Sequence, residues 1–229
     1  MTQPIELQPN LLLRPLLADL HTAGHAIRIV TLPTGRRLFT DERGTHTVYF
    51  PLNSVISTMV TIQDQRRCEV LAIGRDGAIA RLDPTVSLPG HEVVVTVGGR
   101  TALIPLDDLF QLTAQSKPLL EFFRQYIAFC FSATNQRAAC YALHQLDERL
   151  AMWLWLTYRR VGAEIPVTHG WLAELLGTTR ASVSVALEDL ARRKLVELRR
   201  SAVMVLDAHS LRASACDCLP ALNRFLVEG

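Results

Sequence analysis

Hydrophobic patterning changes character near Leu106. From Ile27 to Ile104 the apolar residues fall in short runs: Val48-Tyr49-Phe50, Val55 to Val60, Glu69 to Ile73 and Val93 to Val97. β-branched and aromatic side chains suit a pleated, half-buried surface, so these runs predict strands. Turn signals separate them, at Pro33-Thr34-Gly35, Pro51-Leu52-Asn53, Gly74-Arg75-Asp76-Gly77, Pro89-Gly90 and Gly98-Gly99. Short strands at this spacing predict an antiparallel sandwich or barrel. Asn10 to Thr22 predicts a helix covering it.

From Pro118 the pattern is helical. Ser116 is placed to cap and Pro118 to occupy the first turn. Neither Gly nor Pro follows until Gly162, which is too long for one ordinary helix, so a break is expected between His144 and Asp147. Leu120, Phe123, Ile127, Cys130 and Thr134 alternate three and four residues apart, the spacing of a helix–helix seam. Phe122, Tyr126 and Phe129 give a second apolar face. One face can meet the β-domain and the other a second copy of the chain, which predicts a homodimer helix. Packing on the chain's own β-domain alone is the alternative. Leu146 to Arg160 predicts the next helix, with Leu150, Trp153, Leu154 and Leu156 inward and Gly162 ending it.

Thr168 can cap a short helix, His169 to Leu176, with Leu172, Leu175 and Leu176 on its apolar face. Gly177 supplies backbone freedom for a tight turn. Thr179 can cap a second helix, from Arg180 to about Arg193, whose buried stripe is Val183, Ala186, Leu187 and Leu190. Ala173, four residues before the glycine, lets the helices cross closely, and Val183, six after it, fills the angle between them. That is helix-turn-helix spacing, which sets the second helix in the DNA major groove. An ordinary helical hairpin would share the periodicity. The segments Leu195 to Leu198 and Ala202 to Leu206 then predict a β-wing around Arg199-Arg200-Ser201, and Arg192, Arg193 and Lys194 precede it. Cations at these places suit phosphate contacts.

Composition narrows the rest. Net charge is only +2 with 49% hydrophobic residues, so the distribution of charge, not its total, points to nucleic acid. No apolar run approaches the ~20 residues of a membrane span, and residues 1–20 lack a signal-peptide pattern, so a cytoplasmic location without membrane association is expected. The five cysteines suggest neither a disulfide framework nor an iron–sulfur motif. Cys216 and Cys218 form a Cys-x-Cys pair, read first as packing thiols, with a redox or metal role the alternative. Histidines 21, 25, 46 and 91 are scattered. No catalytic residues, metal ligands or cofactor are assigned. A cupin-like enzyme, the remote alternative, needs a His-x-His pair that the chain lacks.

The order of β-domain, long helix and winged helix resembles the CRP/FNR superfamily of bacterial transcription regulators. The resemblance rests on Phe50-Pro51-Leu52-Asn53-Ser54-Val55-Ile56-Ser57, on Glu69-Val70 with Ile73-Gly74-Arg75-Asp76-Gly77, and on Leu172 to Ser184 with Leu187 and Leu190. It implies an α+β protein. The expected parts are an N-terminal antiparallel β-barrel of the cyclic-nucleotide-binding-like jelly-roll type (1–115), a long dimerisation helix (116–144) and a C-terminal winged helix-turn-helix (145–229). It also implies a homodimer on double-stranded DNA, with RNA polymerase a further candidate partner. The expected DNA-contacting residues are Thr168, Thr179, Arg180, Ser182, Ser184, Arg192, Arg193, Lys194, Arg199 and Arg200. The expected dimer interface is Leu120, Phe123, Ile127, Cys130 and Thr134.

Two departures matter. Relatives typically begin the recognition helix Arg-Glu-Thr-Val and place a second Arg one turn on, whereas this chain has Ala181 and Val185 at those charged positions. Cyclic-nucleotide binders carry Gly-Glu and then Arg-Ala or Arg-Ser around the phosphate. The stretch from Gly74 to Glu92 has no such pair. Gly74, Asp76, Gly77 and Arg81 are the nearest effector-binding candidates, and cyclic AMP is not the expected effector. A β-domain that binds no small molecule and only scaffolds the dimer or contacts proteins is the alternative.

Overall fold

The structure is a computed structural model that describes residues 10–22, 27–40, 46–62, 65–82 and 89–222. His25, the N-terminal segment 1–9 and most of the stretch from Leu82 to Glu92 lie outside the described residues.

Asn10, the first described residue, is fully buried. Its side-chain carbonyl accepts from the amides of Leu12 and Leu13, and its NH2 group donates to the carbonyls of Pro51 and Gly77. One side chain thus starts a helical turn and fixes it to the β-domain. The turn tightens through a 3-10 segment, Arg14–Leu16, into α1 (Leu17–Thr22). Leu12, Leu13, Leu16 and Leu20 are buried, as expected of a covering helix.

The strands are β1 (Arg28–Leu32), β2 (Arg37–Leu38), β3 (Thr47–Pro51), β4 (Val55–Thr61), β5 (Arg67–Ile73), β6 (His91–Val97) and β7 (Gly99–Pro105). They pair antiparallel in two sheets, ordered β1-β7-β3 and β2-β6-β4-β5. The sheets face one another in the manner of a jelly roll without closing into one barrel. Leu38, Tyr49, Ile56, Val95 and Leu103 fill the space between them. The apolar runs of the sequence coincide with β3, β4, β5 and β6. They do not separate β1, β2 and β7 from the turns around them, because Arg28, Thr31 and Arg100 interrupt the pattern there.

Helix α2 (Leu106–Gln115) is not among the elements expected from the sequence, although Leu106, Leu109, Leu112 and Thr113 are all buried at helical spacing. It leads to α3 (Lys117–Leu143), capped by Ser116, whose hydroxyl accepts from the Leu119 amide. The break falls at His144 and Gln145, within the expected interval. Helix α4 (Leu146–Val161) follows, closed at its start by a capping box between Gln145 and Glu148.

Tyr126, Phe129 and Ala133 on α3 are buried, while Leu120, Ile127 and Phe131 remain exposed. Two buried ion pairs tie the β-domain to the helices. Glu69 of β5, fully buried, accepts from Arg137 of α3 at 3.2 Å, from Trp153 Nε1 of α4 at 3.1 Å and from the Ser57 hydroxyl at 2.7 Å. Asp76, in the turn after β5, accepts from Arg160 of α4 at 3.0 and 2.7 Å.

The C-terminal part contains β8 (Glu164–Ile165), α5 (His169–Leu175), α6 (Arg180–Arg192), β9 (Val196–Arg199), β10 (Ala202–Val205), α7 (Ala208–Ala213) and α8 (Leu219–Leu222). β8, too short for a periodic signal, adds a third strand to the wing in the order β8-β10-β9. The main core runs without a break from the β-domain through α3 and α4 into these elements. Among the described residues no helix is long and apolar enough to cross a membrane.

Candidate nucleic-acid interface and ligand cavity

The first helix, α5, starts where the Thr168 hydroxyl accepts from the Trp171 amide. It ends at Leu175, and in the turn that follows Gly177 takes φ +61°, a left-handed conformation that costs other residues more. The Thr178 amide bonds back to the Ala173 carbonyl at 2.9 Å, closing the turn. Thr179 then caps α6 by accepting from the Ser182 amide. Ala173 and Val183 are both buried at the crossing, as the spacing required.

The buried stripe of α6 is Val183, Ala186, Leu187 and Leu190. The opposite face presents Arg180, Ala181, Ser182 and Val185 to solvent. Among the described residues, no hydrogen bond or ion pair engages the side chains of Arg180, Lys194 or Arg200. The remaining expected cations are already partnered. Arg192 pairs with Asp189, Arg193 reaches Ser214 at 2.6 Å, and Arg199 reaches Glu197 at 2.8 Å. The Ser184 hydroxyl donates to the Arg180 carbonyl at 3.0 Å and lies 2.9 Å from His169 Nδ1, so it braces α6 against α5. Thr168 likewise acts as a cap. The wing turns through Arg200 and Ser201, and Ser201 takes φ +59°.

The helix-turn-helix rests on the β-domain. Trp171 Nε1 donates to the Thr96 carbonyl at 3.1 Å. Arg67 Nε donates to Glu174 at 2.7 Å, and its guanidinium stands over the Trp171 ring at 5.2 Å. Arg149 Nη1 donates to the Leu176 carbonyl at 3.0 Å. Trp171 is thus an interface residue, and no local pattern points to its partners.

A cavity of about 600 Å³ lies between the β-domain and α3. Leu38, Val48, Leu71 and Val93 supply one wall, and Phe123, Tyr126, Ile127 and Cys130 the other. Arg37, Arg81, His91 and Glu92 add polar groups, and Arg37 pairs with Glu92 at 2.9 Å. Burial pushes the Cys130 thiol up, so it is a neutral wall group. Burial also holds the Tyr126 phenol well above its usual range. Its hydroxyl donates to the Ala78 carbonyl at 2.7 Å and accepts from the Ala78 amide at 2.9 Å.

Of the four effector candidates, the structure brings only Arg81 to this cavity. Asp76 is held by Arg160. A Cβ on Gly74 would meet Arg160 side-chain carbons at 2.5 Å, and one on Gly77 would meet the Tyr126 hydroxyl at 2.3 Å. These three residues let α3 and α4 approach the sheet. Of the expected dimer residues, Leu120 and Ile127 are exposed, while Phe123, Cys130 and Thr134 are half-buried. Phe131, 70% exposed, joins the exposed face although it falls outside the heptad alternation that defined the expected seam.

Residues 148–214 match the Crp-like helix-turn-helix domain family. No curated protein matches the chain by sequence. Many solved structures share its fold. A regulator of the CRP/FNR family from Eubacterium rectale superposes with a TM-score of 0.61 at 18% identity, covering 87% of this chain and 97% of that one. FixK2 from Bradyrhizobium japonicum gives 0.65 at 13% identity over 83% and 98%. A CRP-family transcriptional regulator from Thermus thermophilus gives 0.62 at 16% identity over 81% and 96%.

Proposed function

We propose, from the premise that residues 148–214 are a Crp-like helix-turn-helix domain within a CRP/FNR-type fold, that this chain is a homodimeric, sequence-specific DNA-binding regulator of transcription and not an enzyme. The observation that carries this reading is the exposed start of α6. There Arg180, without a side-chain partner among the described residues, stands exposed beside Thr179 and Ser182, while Lys194 lies past the other end of α6 and Arg200 in the wing turn. Arg180 supplies two parallel donors to a guanine edge, and the other two cations meet phosphates. Ala181 and Val185 remove charged contacts that relatives use, so the preferred sequence differs from theirs while the docking geometry is shared. Two copies related by a two-fold axis would read half-sites about one helical turn apart.

The exposed stripe of Leu120, Ile127 and Phe131 on α3 supports the dimer. Phe123, Ile127 and Cys130 belong both to the expected seam and to the cavity wall. A ligand in the cavity would therefore press on the face that meets the second copy. The walls suit a largely apolar effector with at most a small anionic group near Arg37 or Arg81, and among the described residues no glycine lines them to cradle a cyclic phosphate. The competing reading is a β-domain that binds no small molecule.

Selection from random duplexes, followed by fluorescence anisotropy at fixed salt, tests the central claim. The wild-type chain enriches a two-fold-symmetric site, and Arg180→Ala loses discrimination between that site and scrambled DNA. Equal discrimination by the variant removes Arg180 as a reader. A thermal-shift screen with cyclic nucleotides and apolar metabolites separates the two views of the β-domain, since a ligand selective for the folded state raises the melting temperature.

A further inference from the structure

The C-terminal cysteines do not pack alone. Cys140 and His144 stand one turn apart at the end of α3, and His144 is its C-cap. Cys216 and Cys218 lie between α7 and α8. The structure brings the four together, although 76 residues separate Cys140 from Cys216 in the chain. Their donor atoms all lie within 4.8 Å of one another, and the three thiols are buried. We propose that Cys140, His144, Cys216 and Cys218 bind one zinc ion that clamps the C-terminal segment to the end of the long helix.

The distances support a tetrahedral ion. A Zn–S bond of ~2.3 Å and a Zn–N bond of ~2.0–2.1 Å give tetrahedral edges of roughly 3.8 Å between sulfurs and roughly 3.5 Å between sulfur and nitrogen. Cys140 Sγ and Cys216 Sγ are 3.6 Å apart, and Cys218 Sγ is 3.5 Å from His144 Nδ1. The outer contacts agree. His144 Nε2 lies 3.0 Å from the Asp217 carboxylate, which leaves Nδ1 free to coordinate and fixes the ring. Gln136 Nε2 donates to Cys218 Sγ at 3.0 Å and so orients that sulfur. Three thiols gathered only for packing would need neither an imidazole nitrogen aimed at them nor a carboxylate behind it.

Loading exchanges the thiol protons for the ion, and those protons leave to solvent. Three thiolates and a neutral imidazole around Zn2+ leave one net negative charge at the site. Soft sulfur donors select zinc over magnesium or calcium. The site joins the end of α3 to the segment between α7 and α8, so a bound ion would fix the C-terminal segment relative to the long helix.

The test uses the full chain, purified under reducing conditions. Its zinc is measured by mass spectrometry, and the stripped chain is titrated with Co2+. The expected result is one zinc per chain. Cobalt should give the intense visible bands of a tetrahedral site with thiolate-to-metal charge transfer, and one equivalent of zinc should displace it. Cys140→Ser and Cys218→Ser abolish that spectrum, while Cys68→Ser keeps it. Asp217 is 90% exposed, so Asp217→Asn spares the fold. It should weaken zinc binding by about 10-fold or more. Four outcomes would overturn the proposal: a stripped chain that gives no tetrahedral cobalt spectrum while its thiols react as free groups, a Cys140–Cys216 disulfide in place of metal binding, an iron–sulfur absorption spectrum, or unchanged zinc affinity in Asp217→Asn.

Discussion

Replacing Asp76 by alanine isolates what the turn after β5 does. The carboxylate accepts from Arg160 at 3.0 and 2.7 Å and from the Gly74 amide at 2.8 Å. Both partners of the ion pair are nearly dry, with side chains 4% and 2% exposed. Asp76→Ala therefore leaves a buried guanidinium without a counter-ion, a loss of about 3–5 kcal/mol. For a chain of this size each kcal/mol is roughly 2–4 °C of melting temperature. The expected drop is thus about 6–20 °C, followed by circular dichroism at neutral pH. Arg160→Met in the same chain removes the stranded charge, so the double variant should melt above Asp76→Ala alone, a non-additivity expected of contacting residues. A drop below about 2 °C, or strictly additive effects, would refute the structural role and return Asp76 to the effector candidates.

Ile127→Glu places a carboxylate on the exposed α3 stripe and should convert a dimer to monomers in light scattering; an unchanged mass removes that face as the interface. Gly177→Ala forces a Cβ into a left-handed residue 3.1 Å from Cys68 Cβ. It should cost about 1–2 kcal/mol, read as a lower melting temperature together with weaker DNA binding, and no change in either would mean the turn has relaxed. Lys194→Ala should weaken binding to all sequences alike and lower the slope of log affinity against log salt by about 1; a sequence-selective loss would instead make Lys194 a base reader.

Local periodicity carries the C-terminal half. Leucines at helical spacing, the Ala173–Gly177–Val183 interval and hydroxyl caps at 168 and 179 act within one or two turns of chain. A reading of neighbours recovers such features. The break at His144 and the wing are legible for the same reason. The β-domain is legible as a class, since β-branched runs between turn residues mark strands. Its pairing is not, because β1 meets β7 and β2 meets β6 across long separations. α2 escapes the reading although its leucines carry the signal.

The sequence by itself determined the helix-turn-helix, the long helix and the kind of β-domain in front of them, because hydrophobic period, caps and turn residues act locally. Only the tertiary structure shows what Gly74, Asp76 and Gly77 touch. Their motif is compatible with a ligand turn, but Arg160 and Tyr126 arrive from distant helices and occupy them. It likewise decided which cations are free, because pairing by Asp189, Glu197 and Ser214 depends on side-chain geometry that spacing does not reveal. The cysteines make the same point: Cys216 and Cys218 are close in the chain, but only the fold sets Cys140 and His144 against them. Long-range juxtaposition is set by the packing of whole elements, and no local pattern records it.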